Sequence, residues 1–257
     1  MKLFDSHAHL YDKAFDADRE ELIERLQGNL ACIMIPSENL ETSRKAVALA
    51  EVYSFLYAAV GIHPHEAKTA EEGTLEALAG LAKNHQKVKA IGEIGLDYYR
   101  MRSEKEVQKK WFALQLELAK SLDLPVIIHD REAHGDILAL LKEHKSDRLR
   151  GVIHCFSGSA ETARELMKLG FYISFAGPVV YRGSTRLRKA AAEVPLDRML
   201  IETDSPYLTP PPKQGQRNDP SNVFYVAEQI ACIKGIPASE VIDRTARNAA
   251  AVYGIQL

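Results

Sequence analysis

The sequence predicts a (β/α)8 TIM barrel, an all-parallel α/β fold whose site lies at the carboxyl ends of the strands. Three observations lead there. Short aliphatic runs alternate with longer amphipathic segments along the whole chain, the pattern of parallel strands joined by crossover helices. Runs such as "PVIIH" and "MLIET" are nearly continuous in apolar residues, as strands covered on both faces must be. The 257 residues suffice for eight such units in a single domain, 1–257, because barrels of this kind run to about 250 residues.

In chain order, strands are expected at "KLFDSH", "ACIMIPS", "LYAAVGIH", "VKAIGEIG", "LPVIIHD", "RGVIHCFS", "GFYISFAG" and "RMLIETD". Between them, "DADREELIERLQ", "LETSRKAVALAEVY", "TLEALAGLAKNH", "SEKEVQKKWFALQLELAKSLD", "REAHGDILALLKEH", "SAETARELMKLG" and "STRLRKAAAEV" repeat Leu, Ile and Ala every three or four residues, which is helical spacing. Asp16, Ser159 and Ser184 precede helical patterns as N-cap candidates, and Gly170 follows one. The stretch "TPPPKQGQRNDPSN" (209–222) is loop and, following the eighth strand, belongs at the barrel mouth. "NVFYVAEQIACIKG" and "ASEVIDRTARNAAAVYG" add two closing helices. No GxGxxG follows the first strand and no P-loop occurs, which argues against an open nucleotide-binding sheet.

With 46% hydrophobic and 26% charged residues, the chain can bury a large core. A net charge of −2 gives no bulk attraction to nucleic acid, so such a substrate has to be gripped locally. Cys32, Cys155 and Cys232 are widely spaced and form no CxxC pair, as expected of reduced thiols. Without a signal-like N-terminus or a membrane-length apolar run, the expectation is a cytoplasmic protein with no membrane partner.

Polar residues gather where the strands end. His7 and His9 close the first strand, His63 the third, Glu93 the fourth, His129 the fifth, His154 the sixth and Asp204 the eighth. In a barrel these carboxyl ends converge on one pocket. A single strand-end His is usually a hydrogen-bonded structural residue, but a whole set left unpaired there would cost several kcal/mol. His7, His9, His129 and His154 with Glu93 and Asp204 exceed what one tetrahedral Zn2+ takes, and suit two divalent ions sharing a carboxylate. Glu93, between the first strand and the fifth and sixth, is the natural bridge, and Asp204 joins the ion held by His7 and His9. Four imidazoles favour Zn, Mn, Fe or Ni over the oxygen-seeking Mg. Glu202, two residues back, and Asp5, one step deeper on the face of His7 and His9, are expected to support the ligands from behind.

"DSHAHL", "GIHPH", "IGEIGLDY", "PVIIHDREA", "IHCFSG" and "IETDSPYL" with "RNDPSNV" resemble, in order, the motifs of the TatD-type metal-dependent deoxyribonucleases of the amidohydrolase superfamily. The resemblance covers residues 5 to 223. It implies a TIM barrel, with His7, His9, Glu93 and Asp204 on one ion and Glu93, His129 and His154 on the other. It further implies Mg2+-stimulated exonuclease or phosphodiesterase activity on DNA, and hydrolysis of other esters. One departure is Asp130, where many relatives carry Cys, which puts a negative charge near the substrate.

The expected chemistry is hydrolysis by a water that two metals activate, with Asp204 and Glu93 catalytic and Asp204 taking or orienting the proton. DNA ends or small phosphodiesters are the expected substrates. His63, His65, Arg131 and Arg217 are candidate substrate contacts, the arginines because a guanidinium binds two phosphate oxygens at once. Tyr98 and Tyr207 are candidates for stacking on a base, and Asn218 and Asn222 are expected to brace the mouth loop. Two rivals are an amide or ester hydrolase acting on small molecules or aminoacyl-tRNA, and a scaffold built on a degenerate barrel; the complete ligand set argues against the scaffold.

Overall fold

A computed structural model describes residues 2–257. Its strands are β1 (Leu3–Asp5), β2 (Leu30–Ile35), β3 (Leu56–Val60), β4 (Val88–Asp97), β5 (Val126–Arg131), β6 (Gly151–Ile153), β7 (Tyr172–Phe175) and β8 (Met199–Ile201). The helices are α1 (Arg19–Gln27), α2 (Leu40–Val52), α3 (Thr74–Asn84), α4 (Lys105–Leu122), α5 (His134–Glu143), α6 (Ala160–Lys168), α7 (Thr185–Glu193), α8 (Val223–Lys234) and α9 (Ala238–Tyr253). Neighbouring strands pair in parallel in sequence order from β1 to β8. This is the (β/α)8 barrel the alternation predicts. Between β1 and β8, the amides of Ser6, His9 and Asp204 donate to the carbonyls of Ile201 (3.2 Å), Ser205 (2.8 Å) and His7 (2.9 Å). These bonds set Asp204 beside His7 and His9, which follow β1 instead of lying within it.

Two apolar layers follow from strands covered on both faces. Ile33, Val60, Ile91, Ile128, Ile153, Ile173 and Ile201 pack outward with helix residues such as Leu26, Leu116 and Leu166. Phe4, Met34, Ala59, Ala90, Ile127, Val152 and Leu200 form a separate inner cluster with Ala246, Ala249, Val252 and Tyr253 of α9. Each large apolar side chain so buried contributes roughly 1.5–3 kcal/mol. α9 therefore plugs the amino-terminal end of the barrel: Tyr253 stacks on Phe4 with ring centroids 6.2 Å apart. Asn248 Nδ2 donates to the carbonyls of Leu196 and Met199 at the start of β8, both at 2.8 Å. The carboxyl end is left for chemistry. No helix among the described residues is long and apolar enough to cross a membrane.

Local signals hold in part. Ser159 caps α6, its Oγ accepting from the Thr162 amide at 3.2 Å, and Gly170 follows that helix with φ +95. Asp16 does not cap α1: Asp18 occupies the cap position, and Asp16 pairs with Arg19 instead. Ser184 stands before α7, but its Oγ donates to the Pro178 carbonyl at 2.6 Å. In the 209–222 loop, buried Asn218 donates to the carbonyls of Thr203 (3.0 Å) and Tyr207 (2.6 Å), and Asn222 donates to Asn218.

One strand is longer than its apolar run suggests. β4 continues to Asp97, so Glu93 lies inside the strand and not at its end. Gly95 makes this pairing feasible. Its φ is +135, and a Cβ there would sit 2.1 Å from the His129 carbonyl oxygen, so any larger residue would push β4 off β5.

Candidate metal centre

Glu93 is fully enclosed at the middle of the site and turns its two oxygens toward different histidines. Oε2 faces His7 Nε2 (3.3 Å) and His9 Nε2 (3.9 Å). Oε1 faces His129 Nδ1 (2.7 Å), His154 Nε2 (3.3 Å) and His63 Nε2 (3.5 Å). Asp204 Oδ1 completes the first group, 3.4 Å from His9 Nε2 and 3.6 Å from His7 Nε2.

These separations test whether the residues fit an ion. A tetrahedral ion with bonds of about 2.0–2.1 Å sets its ligand atoms about 3.3–3.4 Å apart. His7 Nε2 and His9 Nε2 lie 3.2 Å apart, and with Asp204 and Glu93 the separations run from 3.2 to 3.9 Å. Such close, inward-facing lone pairs are what a cation relieves. The donors fit a divalent ion.

The outward nitrogens are held from behind. His129 Nε2 meets Asp97 Oδ2 at 3.1 Å, His154 Nδ1 meets Glu202 Oε1 at 2.9 Å, and His9 Nδ1 meets the Tyr11 hydroxyl at 2.9 Å. Such partners fix the tautomer and ring orientation of a ligating imidazole. Glu202 also accepts from Ser174 Oγ (2.6 Å) and the Cys155 amide (2.6 Å). Asp5 plays a different part from the one expected. Its carboxylate accepts from the Thr203 amide (2.9 Å) and hydroxyl (2.5 Å) and from the His7 amide (3.2 Å), so it ties the end of β1 to the segment after β8 through backbone and hydroxyl groups, its hydrogen bonds going to neither ring. His7 Nδ1 is buried and has no hydrogen-bond partner among the described residues.

Charge follows from this crowding. Burial alone would raise Glu93, but His154, His63, His7 and the bond to His129 outweigh it and hold the carboxyl well below its ordinary range. Burial opposes charge on His129 and His154, yet their carboxylate neighbours push them up to about 9 and about 10. His63 goes the other way, burial lowering it to about 3. Burial would also raise Asp97, but bonds from His129, His65 and the Arg100 amide keep it low.

A cavity of about 490 Å3 opens over these residues, with Arg100, Arg102 and Arg131 on the side of β4 and β5 and Pro178, Tyr207 and Leu208 on the side of β7 and β8. His63 and His65, expected at the substrate, line it. His63 also belongs with Glu93 and His129 in a trio whose ligating atoms lie within 4.8 Å of one another. His65 Nε2 is bound to Asp97 Oδ2 at 2.8 Å. Arg131 lines the cavity, but Arg217 does not: its guanidinium makes a two-armed pair with Asp18 (2.6 and 2.7 Å) and donates to the Ala14 carbonyl. Tyr207 lines the cavity, whereas the Tyr98 hydroxyl is spent on Asp136 at 2.6 Å. The negative charge of Asp130 is shared with His134 at 2.7 Å.

Asp97, Tyr11, Glu38, Arg100 and Arg102 carry no role in the sequence reading. Asp97 had a signal: it stands four residues beyond Glu93, on the same face of a period-two strand. The others lie on loops, where no periodicity reports direction.

The family model described as TatD related DNase matches residues 4–254. The chain is 45% identical to the uncharacterized metal-dependent hydrolase YabD of Bacillus subtilis strain 168, over 98% of this chain and 99% of that one. It is 37% identical to the 3'-5' ssDNA/RNA exonuclease TatD of Cronobacter sakazakii, over 98% and 97% of the two chains. The crystal structure of YjjV, a TatD homolog from Escherichia coli K12, superposes with a TM-score of 0.93 at 33% identity, covering 99% of this chain and 98% of that one.

Proposed function

This chain belongs to the family of TatD-related DNases and is a metal-dependent hydrolase, and on that premise we propose that it is a phosphodiesterase acting on nucleic-acid ends, with residues 1–257 forming one catalytic domain. His7, His9, Glu93 and Asp204 would hold one divalent ion, and Glu93, His129 and His154 a second. The imidazole-rich set suits Zn, Mn, Fe or Ni, with Mg2+ able to serve in turnover. Bound as a pair, such ions activate water for attack at phosphorus and offset charge on the departing oxygen.

The protein's own groups supply the rest. Asp204, kept ionised because bonding to His9 and the charges of His154 and His7 outweigh its burial, takes the proton of the attacking water. Glu93 holds the two halves of the site in register. Arg131, Arg100 and Arg102 line the cavity and supply cations for the substrate's phosphates, since each guanidinium can grip two oxygens. Asp97, Glu202 and Tyr11 keep the imidazoles aimed inward.

The observation that carries the phosphodiester over the amide reading is the arginine wall facing the histidine cluster in a chain whose net charge is −2. A neutral amide or lactone has no use for three cations there. The name of the Cronobacter relative supports attack at strand ends. The test is a metal-reconstituted screen of single-stranded DNA, RNA, a non-nucleic phosphodiester, and a panel of lactones and amides. Turnover of the phosphodiesters is expected; turnover of lactones or amides alone would overturn the proposal.

A further inference from the structure

The loop between β4 and α4 is exposed and yet firmly tethered. Tyr99 is 55% exposed, and Arg100 and Arg102 also face solvent. Beneath them, Asp97 Oδ1 accepts from the amides of Tyr99 (3.0 Å) and Arg100 (2.7 Å). Ser103 Oγ donates to the His65 carbonyl at 3.0 Å, and buried Gln108 clamps both ends of the loop, donating to the carbonyls of Asp97 (3.1 Å) and Ser103 (2.7 Å). An exposed aromatic on a rigid loop contributes little to folding and is well placed to contact something else.

The cations around it are uncommitted. The Arg131 guanidinium carbon lies 4.2 Å from the Tyr99 ring centroid, so ring and guanidinium are stacked. Arg19, Arg150, Arg164, Arg217 and Arg247 all spend their side chains on carboxylates. The guanidinium groups of Arg100, Arg102 and Arg131 have no hydrogen-bond or ion-pair partner among the described residues, although all three line the cavity. One phosphate can be gripped by a single guanidinium. Three unpaired ones line this one cavity, and two of them, Arg131 and Arg100 (5.8 Å from the ring centroid), stand at the Tyr99 ring, so the wall offers places for more than one phosphate.

Resting on the phosphodiesterase reading, we infer that this loop is the strand-holding element of the site. Arg100, Arg102 and Arg131 take successive phosphates of a single-stranded nucleic-acid end, and the Tyr99–Arg131 stack is extended by one of its unpaired bases. A base must be out of its duplex to stack there, so the loop selects single strands.

The experiment uses metal-loaded full-length protein on a single-stranded oligodeoxynucleotide, its blunt duplex, and methyl 4-nitrophenyl phosphate, a diester with one phosphate and no nucleobase. The wild type is expected to prefer the single strand. Tyr99→Ala should lower the ratio of oligonucleotide to small-diester kcat/KM about tenfold, chiefly through KM, as loss of one base–aromatic stack does. Tyr99→Phe should restore the ratio. The double change Arg100→Gln, Arg102→Gln should reduce the slope of log kcat/KM against log salt by about 1.4, near 0.7 for each single-strand phosphate that is no longer neutralised. An unchanged ratio in Tyr99→Ala, with the wild type cutting the oligonucleotide, would overturn this inference alone. So would equal losses on both substrates. A wild type inert on every phosphodiester would overturn the underlying function, and the inference with it.

Discussion

Replacing Asp97 with Asn tests whether the metal histidines depend on what holds them from behind. Asp97 is fully buried and accepts four bonds: the amides of Tyr99 and Arg100 at Oδ1, and His65 Nε2 and His129 Nε2 at Oδ2. An amide has one oxygen. The two backbone N–H groups cannot become acceptors, so that oxygen must stay with them, and the NH2 faces the two imidazoles. His129 can accept a hydrogen bond there only with its proton on Nδ1, the nitrogen that lies 2.7 Å from Glu93 Oε1. The lone pair aimed at the ion is thereby lost or must be recovered by breaking the bond behind it. Loss of such a supporting carboxylate costs roughly 10–100-fold in metal affinity, or about 1.4–2.7 kcal/mol. Asp97→Asn should therefore bind metal that much more weakly in competition with a chromogenic chelator, and turn over poorly at limiting metal but recover in excess. The metal-free protein should also lose roughly 1.5–3 kcal/mol of stability with the charged hydrogen bonds. Because the amide oxygen still serves Tyr99 and Arg100, the preference for oligonucleotide over small diester should persist. Metal affinity within about threefold of wild type would refute this account of how His129 is aimed.

Glu93→Ala should empty both halves of the centre, since its two oxygens face separate groups; elemental analysis should find neither ion, and turnover should fall by more than the roughly 10–100-fold of a supporting residue. Retained activity would mean that the bridge lies elsewhere. Metal uptake should depend on pH, because His129 and His154, raised by their carboxylate neighbours to about 9 and about 10, carry protons at neutral pH that an ion must displace. Calorimetry of metal binding at pH 7.5 in buffers of different ionisation enthalpy should report the release of about two protons; none released would refute the assignment. For the metal-free fold the sign follows from both pKa values lying above the unfolded one: the stabilisation is complete below about 6.5 and is lost as pH rises through 9 to 10. Its melting temperature should thus fall across that range while the metal-loaded protein changes less. Arg217→Ala should leave kcat/KM on a single-stranded oligonucleotide within about twofold, since its charge is spent on Asp18 and not on the cavity; a larger loss would restore it to the substrate. Iodoacetamide at pH 8 should label exposed Cys232 well before Cys32, whose buried thiol is pushed up to about 11; mass spectrometry of the tryptic peptides reads the order.

The fold was legible because its cause is periodic. Continuous aliphatic runs recur eight times and helical spacing nine times, and both arise from burial on a barrel wall, so each strand and helix falls on the segment the pattern names even where, as in β1 and β4, its end is shifted. Errors gather where a local bond competes with a pattern. Asp16 has the right residue type for a cap, but Arg19 one turn on draws its charge away. Arg217 sits in the loop expected at the mouth, yet Asp18 and Ala14 lie within reach of its guanidinium and take it first. Neither competitor can be read from spacing, because each depends on how two distant segments approach.

The site divides along the same line. Which residues converge could be read, since strand ends in a barrel must meet. Which nitrogen each imidazole presents could not, and that decides whether converging residues bind an ion or merely bond to one another. His129 shows the difference. Its position follows from β5, but its orientation follows from Asp97, brought opposite it because β4 runs on past Glu93 and Gly95 lets the two strands close. The same carboxylate, through its other oxygen, fixes the loop that carries Tyr99 and Arg100. One buried side chain thus sets both the aim of an imidazole proposed to hold an ion and the placement of the loop proposed to hold the strand. A change that shifts Asp97 should disturb chemistry and substrate selection together, whereas Asp97→Asn, which keeps the backbone bonds and loses those to the rings, separates them.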